Sequence, residues 1–203
     1  MYDRSVENVT AFILAGGKSS RMGADKAFLE LGGQTFLARA LELAGTVTPL
    51  VRLLGDKKRF AAFGTVIEDI YPGCGPLGGI HAALMSTATD LNVLLAVDLP
   101  FITTEFLRYL ISRAEGSNAA AMVPRVGGVF QPLCAMYRKE FVGVAESSLR
   151  AGKNKIGALF HEVNARVIEE EELADAGFQI EIFRNLNTPA DWQEAKLEFE
   201  KKS

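Results

Sequence analysis

The chain has 203 residues, of which 48% are hydrophobic and 23% charged, close to the composition of folded soluble proteins. This composition excludes a mainly disordered chain, and the net charge of −3 argues against a protein that binds nucleic acid or a membrane surface. The apolar runs are too short to cross a bilayer, and the first residues predict no signal peptide. Two widely separated cysteines, Cys74 and Cys134, are typical of a reducing compartment. We therefore expect a cytoplasmic protein with no nucleic-acid and no membrane partner.

Short apolar runs alternate with segments of helical spacing along the whole chain. In chain order they predict a strand at 9–15, a helix at 36–43 capped by Thr35, a strand at 50–54, a helix at 57–63, a strand at 66–67, a glycine-rich loop at 73–79 and a helix at 80–85. They then predict a strand at 92–97, a helix at 105–114 capped by Thr104, strands at 119–124 and 129–137 joined across Gly127 and Gly128, a helix at 139–149, a strand at 180–183 and a helix at 189–201.

This alternation predicts an α/β protein with a mostly parallel sheet and helices on both of its faces. The strands are continuous apolar runs, as expected where both faces of a sheet are covered. No linker or repeat interrupts residues 1–203, so we expect one domain. Its first half would span about 1–118, and a less regular second half of about 119–203 would lie over the sheet edge. The acidic run 169–172 is typical of a solvated surface.

Three segments follow the carboxyl ends of predicted strands, where open parallel sheets bind their ligands. The first is 14–26 (LAGGKSSRMGADK), in which glycines let the backbone approach a ligand and three cations could neutralise a polyphosphate. It is not a Walker A loop, because the glycine required five residues before Gly17 is Phe12. The segment therefore predicts a phosphate-binding loop of another type.

The second and third segments supply carboxylates. Residues 73–78 spell GxGxxG, but Pro76 interrupts the motif and no strand directly precedes it, so we discount a dinucleotide site. A loop that closes over a base or ribose, with Asp69 at its start, fits better. Asp98 follows the buried strand 92–97, where a carboxylate is costly unless it is paired or metal-bound. One carboxylate plus substrate phosphates suits Mg²⁺, so Asp98 is the predicted metal ligand.

Other catalytic chemistries find no support in the sequence. It contains no recognisable nucleophilic triad, and its histidines and cysteines lack the spacing of a zinc site. His81 lies in an apolar helical segment and is predicted to be a hydrogen-bonded core residue. The cysteines are predicted to be structural, because no histidine neighbours them.

Segment 14–26 resembles LAGGxSxRMGxDK, the signature of the molybdenum cofactor guanylyltransferases. Glu68-Asp69 before 75–79, the segment 97–100 (VDLP) and the segment 185–191 (NLNTPAD) agree in order and spacing, so the resemblance covers roughly 9–195. It implies a three-layer Rossmann-like nucleotidyltransferase fold. It also implies transfer of GMP from GTP to the phosphate of molybdopterin, which forms the guanine dinucleotide cofactor and releases pyrophosphate.

The resemblance further implies a role for each matching residue. The nucleotide would lie against the backbone of Leu14, Ala15, Gly16 and Gly17, with Arg21 and Lys26 on its phosphates, Asp69 on the nucleoside and Asp98 bound through Mg²⁺. Asn185 and Asn187 would contact the acceptor, and Arg21, Lys26 and Asp98 would form the catalytic set. The implied partners are GTP and molybdopterin or molybdenum cofactor, with molybdoenzyme apoproteins or cofactor-delivery proteins as further partners.

Elementary chemistry agrees with this function. The phosphate of molybdopterin is already an anion at neutral pH, so transfer needs no strong general base. The barrier is repulsion between an anionic nucleophile and an anionic α-phosphate, and positioning and positive charge lower it.

Two features depart from the family pattern, and several alternatives stay open. No asparagine follows the second strand at 53–57, and Gly78 stands where alanine is commoner. Besides Asn185 and Asn187, the segment 131–133 resembles a family segment that faces the acceptor, and Arg125, Lys153 and Lys155 are candidates for binding its phosphate. A cytidylyltransferase that uses CTP is the nearest alternative, although such relatives usually carry Ala-Ala-Gly at 14–16. A sugar-phosphate nucleotidyltransferase, a non-catalytic GTP-binding module that delivers cofactor, and a dinucleotide oxidoreductase are the others.

Overall fold

The computed structural model describes residues 8–16 and 25–202 as an α/β protein. Its strands are β1 (Val9–Leu14), β2 (Glu30–Leu31), β3 (Gln34–Thr35), β4 (Val51–Leu54), β5 (Val66–Ile67), β6 (Leu91–Ala96), β7 (Ala121–Val126), β8 (Val129–Phe130), β9 (Cys134–Arg138) and β10 (Ala165–Ile168). Its α-helices are α1 (Phe36–Gly45), α2 (Lys57–Phe60), α3 (Pro76–Ser86), α4 (Thr104–Glu115), α5 (Phe141–Arg150), α6 (Ile156–Leu159), α7 (Glu170–Asp175) and α8 (Pro189–Lys202). Two 3-10 segments lie at Lys26–Phe28 and Ile180–Phe183.

Eight of the described strands form one mixed sheet in the order β10-β7-β9-β6-β1-β4-β5, with β8 paired to β7. Strands β6, β1, β4 and β5 are parallel, whereas β9 runs antiparallel to both β6 and β7. The chain leaves β1 toward β4 on one side and later returns to β6 on the other. The border between β1 and β6 is therefore the switch point at which such sheets bind ligands.

Helices cover both faces of the sheet, because alternate residues of the central strands enter two separate cores. Val9, Ala11 and Ile13 of β1 pack with α1 and α4, whereas Phe12 packs with α3 and α5 on the other face. This three-layer arrangement confirms the predicted fold class, and it explains why these strands read as continuous apolar runs. No helix among the described residues is both long and apolar enough to span a membrane.

Most predicted elements are present near their expected bounds. Thr35 caps α1 by accepting a hydrogen bond from the amide of Ala38 at 3.1 Å. Gly127 and Gly128 both have positive φ and join β7 to β8, as the hairpin prediction requires. Helix α4 begins one residue earlier than predicted, because Thr103 rather than Thr104 is its capping residue.

Three predicted elements differ from the structure in their bounds or their type. Helix α3 begins at Pro76, inside the predicted loop 73–79, because proline suits the first helical position and Gly75 just before it has positive φ. The predicted strand 129–137 is split into β8 and β9 around Pro132. The predicted strand at 180–183 is a 3-10 segment whose Phe183 packs on Phe106 of α4, with ring centroids 5.1 Å apart.

The second half of the chain is more regular than expected. Strands β7, β9 and β10 extend the central sheet instead of lying over its edge, and β10, α6 and α7 are elements that the sequence patterns did not indicate. The acidic run 169–172 is also more than a solvated surface. Glu169 pairs with Arg125, and Glu172 pairs with both Arg113 and Arg166.

Candidate active site

Three parallel strands end side by side at the switch point. The amide of Val97, just after β6, donates to the carbonyl oxygen of Leu14 at 3.2 Å. The amides of Ala15 and Gly16 both donate to the carbonyl oxygen of Leu54, at 3.1 and 3.0 Å. The backbone that follows β1 is thereby held between the ends of β4 and β6. Because these two amides already have an acceptor, this stretch would meet a ligand through its carbonyl oxygens.

Glycine is required where the loops after β1 and β4 touch. A Cβ atom at Gly16 would lie 3.0 Å from the Cα of Gly55. A Cβ at Gly55 would lie 3.2 Å from the amide nitrogen of Gly16, and the φ of 155° at Gly55 is one that L side chains rarely adopt. Asp56, in the segment that lacks the family's asparagine, caps α2 through the amide of Lys58 at 2.7 Å. The residue after Gly55 thus has a structural role here.

Lys26 joins two parts of the chain that are distant in sequence. Its Nζ donates to Oδ2 of Asp98 at 3.2 Å and to Oδ1 of Asn187 at 2.6 Å. The side chains of Lys26 and Asp98 are 18% and 22% exposed, so the ion pair is partly accessible to solvent and does not lie in the core. A lysine ammonium has three donors, and these two contacts leave capacity for a ligand oxygen. The structure therefore brings together three of the predicted site residues.

The 3-10 segment that carries Lys26 is held in place by Asp25, the residue just before it. Asp25 accepts a hydrogen bond from the amide of Ala27 at 3.3 Å and forms an ion pair with Arg59 of α2. Ala27 itself is fully buried. The backbone at Lys26 is thus anchored on both sides, while its side chain points to Asp98.

The segment that carries Asn187 is fixed by its own capping interactions. The amide of Leu186 donates to the backbone carbonyl of Asp98 at 3.0 Å. Oδ2 of Asp191 accepts from the amides of Asn187 at 2.9 Å and of Thr188 at 2.8 Å. The backbone hydrogen bonds from Thr188 and Asn187 lower the pKa of Asp191, because they favour its charged form. Asn185 lies exposed on the same segment.

Asp69 lies against the first turn of α3. Its carboxylate oxygens are 3.6 and 3.7 Å from the positions that Cβ atoms would occupy at Gly78 and Gly79. Partial burial in this corner raises the pKa of Asp69. A Cβ at Gly78 would also lie 2.9 Å from the carbonyl oxygen of Tyr71, so in this chain the position has no room for alanine without a shift.

The comparisons with known proteins agree on one family. The MobA-like NTP transferase domain model matches residues 11–167. A probable molybdenum cofactor guanylyltransferase of Pelotomaculum thermopropionicum is 38% identical, over 93% of this chain and 92% of that one. Another from Carboxydothermus hydrogenoformans is 33% identical, over 93% and 95%. The crystal structure of molybdopterin-guanine dinucleotide biosynthesis protein A from Archaeoglobus fulgidus superposes with a TM-score of 0.83 at 26% identity, over 95% of this chain and 99% of that one.

The chain belongs to the MobA-like NTP transferase family. It is therefore a nucleotidyltransferase enzyme of Rossmann-like fold, as the resemblance implied. Nucleotidyltransferases of this family generally use a divalent metal. Within the described ranges no three His, Cys, Asp or Glu side chains cluster as a metal site. The single carboxylate of Asp98 fits a hard cation that takes its remaining ligands from a nucleotide.

Other residues predicted for this nucleotidyltransferase either lie outside the described residues or have no described contact with Lys26, Asp98 or Asn187. Gly17 and Arg21, predicted for nucleotide and phosphate binding, lie outside the described residues. Arg125, an acceptor-side candidate, is engaged by Glu169 through two hydrogen bonds of 2.9 and 2.6 Å. Lys153 and Lys155 are exposed. Gln131, in the other candidate segment, donates from its side chain to the carbonyl of Val129 at 3.4 Å.

The prediction for His81 was wrong in one respect. The residue is buried, but neither ring nitrogen has a hydrogen-bond partner among the described residues. Burial lowers its pKa, although Glu146 acts in the opposite direction. Cys134 is fully buried, and burial raises the pKa of its thiol, which fits the structural role predicted for it.

Sequence reasoning missed the residues that hold Lys26 and Asn187 in place. Thr188-x-x-Asp191 has the spacing of a capping box, so Asp191 could have been found from this pattern. No sequence signal connects Arg59 to Asp25, because the two residues meet only when α2 packs against the 3-10 segment, where the rings of Phe60 and Phe28 are in contact.

Proposed function

We propose that this chain transfers GMP from GTP to the phosphate of molybdopterin, with release of pyrophosphate, in the cytoplasm. The observation that carries the proposal is the contact of Lys26 with both Asp98 and Asn187 at the switch point of the sheet. The contact supports the proposal because it joins a cation, a carboxylate and an amide from three matching motifs. The names of the two relatives and the solved structure described above support the same reaction.

Lys26 would act on the phosphates of GTP. In the reaction a phosphate oxygen of the acceptor forms a bond to the α-phosphorus, and the bond from that phosphorus to pyrophosphate breaks. Pyrophosphate leaves with the electron pair, and no proton has to move. The ammonium of Lys26 would stabilise the negative charge that gathers on the transferring group. Arg21, which lies outside the described residues, would add a second cation.

Asp98 would hold Mg²⁺ together with the phosphates of GTP. Mg²⁺ commonly takes one or two protein carboxylates plus substrate phosphates, and Asp98 is a single, partly exposed carboxylate. When bound, the metal supplies positive charge close to the phosphates. The hydrogen bond from Leu186 to the backbone of Asp98 would keep this carboxylate at the end of β6.

The nucleoside would lie against residues 14–17, with Asp69 beside it. The amides of Ala15 and Gly16 are used by Leu54, so this backbone offers carbonyl oxygens to a base. Guanine presents N–H donors at both N1 and N2 on its pairing edge, whereas cytosine presents donors only at N4. Backbone carbonyl acceptors at this position would therefore favour GTP over CTP, the substrate of the alternative cytidylyltransferase.

Asn185 and Asn187 would contact the acceptor. Both lie exposed on the segment before α8, and Asn187 contacts Lys26, so an acceptor bound there would lie next to the phosphate-binding lysine. This proposal keeps one domain with a nucleotide-binding half of about 1–118 and an acceptor-binding half of about 119–203. Molybdoenzyme apoproteins or cofactor-delivery proteins would then receive the product.

The first experiment is calorimetric binding of GTP, CTP, ATP and NADH, each with and without Mg²⁺. We expect GTP to bind at least about tenfold more tightly than CTP, a difference of about 1.4 kcal/mol. Tighter binding of CTP would replace the proposal with the cytidylyltransferase. Tighter binding of NADH would support an oxidoreductase.

The second experiment measures pyrophosphate release from GTP in the presence of molybdopterin. We expect release that requires both molybdopterin and Mg²⁺. A sugar phosphate is the control acceptor, and release with it instead would identify a sugar-phosphate nucleotidyltransferase. Tight binding of GTP and Mg²⁺ without release with either acceptor would support a non-catalytic delivery module.

A further inference from the structure

The first turn of α8 contains a carboxylate, Asp191, that has no predicted substrate contact but is hydrogen-bonded to the segment that carries Asn187. Oδ2 of Asp191 accepts two backbone hydrogen bonds, from Asn187 at 2.9 Å and from Thr188 at 2.8 Å. In return, Oγ1 of Thr188 accepts from the amide of Asp191 at 3.2 Å. The bonds between Thr188 and Asp191 form an ordinary capping box. The bond to Asn187 is additional, because that residue precedes the cap.

This additional bond fixes the residue whose side chain contacts Lys26. Asn187 is exposed, and its Oδ1 lies 2.6 Å from Nζ of Lys26. An exposed residue outside a helix has backbone freedom that must be removed if its side chain is to keep one direction. Here two bonds remove it, one from Leu186 to the backbone of Asp98 and one from Asn187 to Asp191.

We propose that Asp191 is a positioning residue for the transfer reaction, which acts by holding the Asn187 backbone so that its side chain orients the ammonium of Lys26. This inference rests on the proposed function. Asp191 itself does not touch the reacting groups. Its charged form is the one that accepts both amides, and this agrees with its lowered pKa.

The test compares three variants by pyrophosphate release from GTP with molybdopterin and Mg²⁺. Asp191→Ala, which removes the acceptor of both bonds, should lower kcat about 10-fold to 100-fold, because small misplacements of catalytic groups have effects of this size. GTP binding by calorimetry should change little, since Lys26 keeps its charge. Thr188→Ala is the matched control, because it removes the capping hydroxyl of the same helix and leaves the Asn187 bond. Glu194→Gln removes a charge from the same helix three residues later. Both controls should keep nearly normal kcat.

A double-mutant cycle separates positioning from a general loss of stability. If Asp191 acts through Asn187, Asp191→Ala should have almost no further effect on kcat when Asn187 is already alanine. Additive effects of the two changes would overturn the inference. A fall in kcat for Thr188→Ala as large as that for Asp191→Ala would also overturn it, because the helix cap would then be the cause.

A structural readout keeps the inference testable if the proposed function fails. In a crystal structure of Asp191→Ala, we expect Oδ1 of Asn187 to leave hydrogen-bond range of Lys26. If that contact is retained, the inference is wrong whatever the substrate. If the wild-type chain releases no pyrophosphate but the contact is lost in the variant, the proposed function fails and the positioning of Lys26 by Asp191 stands.

Discussion

Strands β1 and β6 carry polar side chains at both ends, in opposite arrangements. At the amino ends, Thr10, Thr87 and Thr89 are buried and bond to one another through their hydroxyls at 2.7, 2.9 and 3.2 Å. Buried Asn92 joins this group by accepting from the hydroxyl of Thr89 at 3.2 Å, and its side-chain nitrogen lies within hydrogen-bond distance of three backbone carbonyls. At the carboxyl ends, Lys26 and Asp98 are partly exposed, and the ammonium still has capacity for another acceptor.

The difference separates structure from function within one pair of strands. A closed network of buried hydroxyls leaves nothing for a ligand, and its loss would expose unmatched polar groups. A partly exposed ion pair is worth about 0–1 kcal/mol, so folding does not require the pair between Lys26 and Asp98. At the carboxyl ends of the parallel strands, by contrast, polar side chains contribute little to the free energy of unfolding. They are therefore available to bind a ligand.

The largest expected effect comes from the carboxyl ends. Lys26→Ala and Asp98→Ala should each lower pyrophosphate-releasing turnover by about 10²–10³-fold, the usual result of removing one preorganised electrostatic contact. The free energy of unfolding should change by no more than about 1 kcal/mol. Arg108→Ala, which removes an exposed cation from α4, is the control and should be nearly neutral in both assays. Near-normal turnover in either site variant would remove the role assigned to that residue.

Substitutions at the amino ends of the strands should lower the free energy of unfolding and leave turnover unchanged. Thr89→Val should lower the free energy of unfolding by about 1–3 kcal/mol, because Thr10, Thr87 and Asn92 would lose a buried partner. Its kcat should stay at the wild-type value. Urea unfolding followed by circular dichroism measures the first quantity. Thr46→Val, at an exposed hydroxyl, is the control. A large loss of turnover with unchanged stability would abolish the distinction between the two ends.

A smaller effect is expected where α3 meets the loop at the carboxyl ends. Gly78→Ala should destabilise the protein by about 1–2 kcal/mol, because its Cβ would lie 2.9 Å from the backbone carbonyl of Tyr71. Gly143→Ala in α5, where nothing lies within 4 Å of the added Cβ, should instead stabilise by about 0.5–1 kcal/mol. Thermal unfolding of the pair compares them directly. Equal stabilisation by both changes would mean that the backbone at Tyr71 can shift away from the added Cβ at little cost in free energy.

The smallest expected effect is a pH dependence that arises in the middle of α3. Burial lowers the pKa of His81, while Glu146 raises it and Arg150 lowers it. Below the ordinary histidine pKa of about 6.5, the unfolded chain takes up a proton that the folded chain resists. The free energy of unfolding should therefore decrease from pH 7.5 to pH 5.

Two leucine variants assign this dependence. His81→Leu should flatten it, because the ring that resists protonation is gone. His161→Leu, which changes the other and exposed histidine, should leave it in place. The ring of Tyr71 also packs edge-to-face with His81, with the ring centroids 5.1 Å apart. Unfolding curves at several pH values for both variants provide the measurement, and a dependence that follows His161 would contradict the assignment.

The sequence predicted the strand ends better than the contacts between them. The buried strands β1 and β6 were recognisable as apolar runs, and Lys26, Asp98 and Asn187 each stood out in its motif. That Lys26 contacts both of the others depends on chain segments 72 and 161 residues apart, which no local pattern encodes. The threonine network escaped notice for the same reason. Thr10 and Thr89 look like ordinary strand and loop residues until the two strands pair in register.

The pairing of Lys26 with Asn187 also has a consequence for how the enzyme is made. A ribosome releases the residues of β1 and the phosphate-binding loop long before the segment that precedes α8. A nascent chain that ends before residue 187 holds both central strands and lacks the amide that completes the lysine's surroundings. The proposed active site is therefore among the last features to form during synthesis, and a chain that terminates just before residue 187 would contain the sheet without the contact between Lys26 and Asn187.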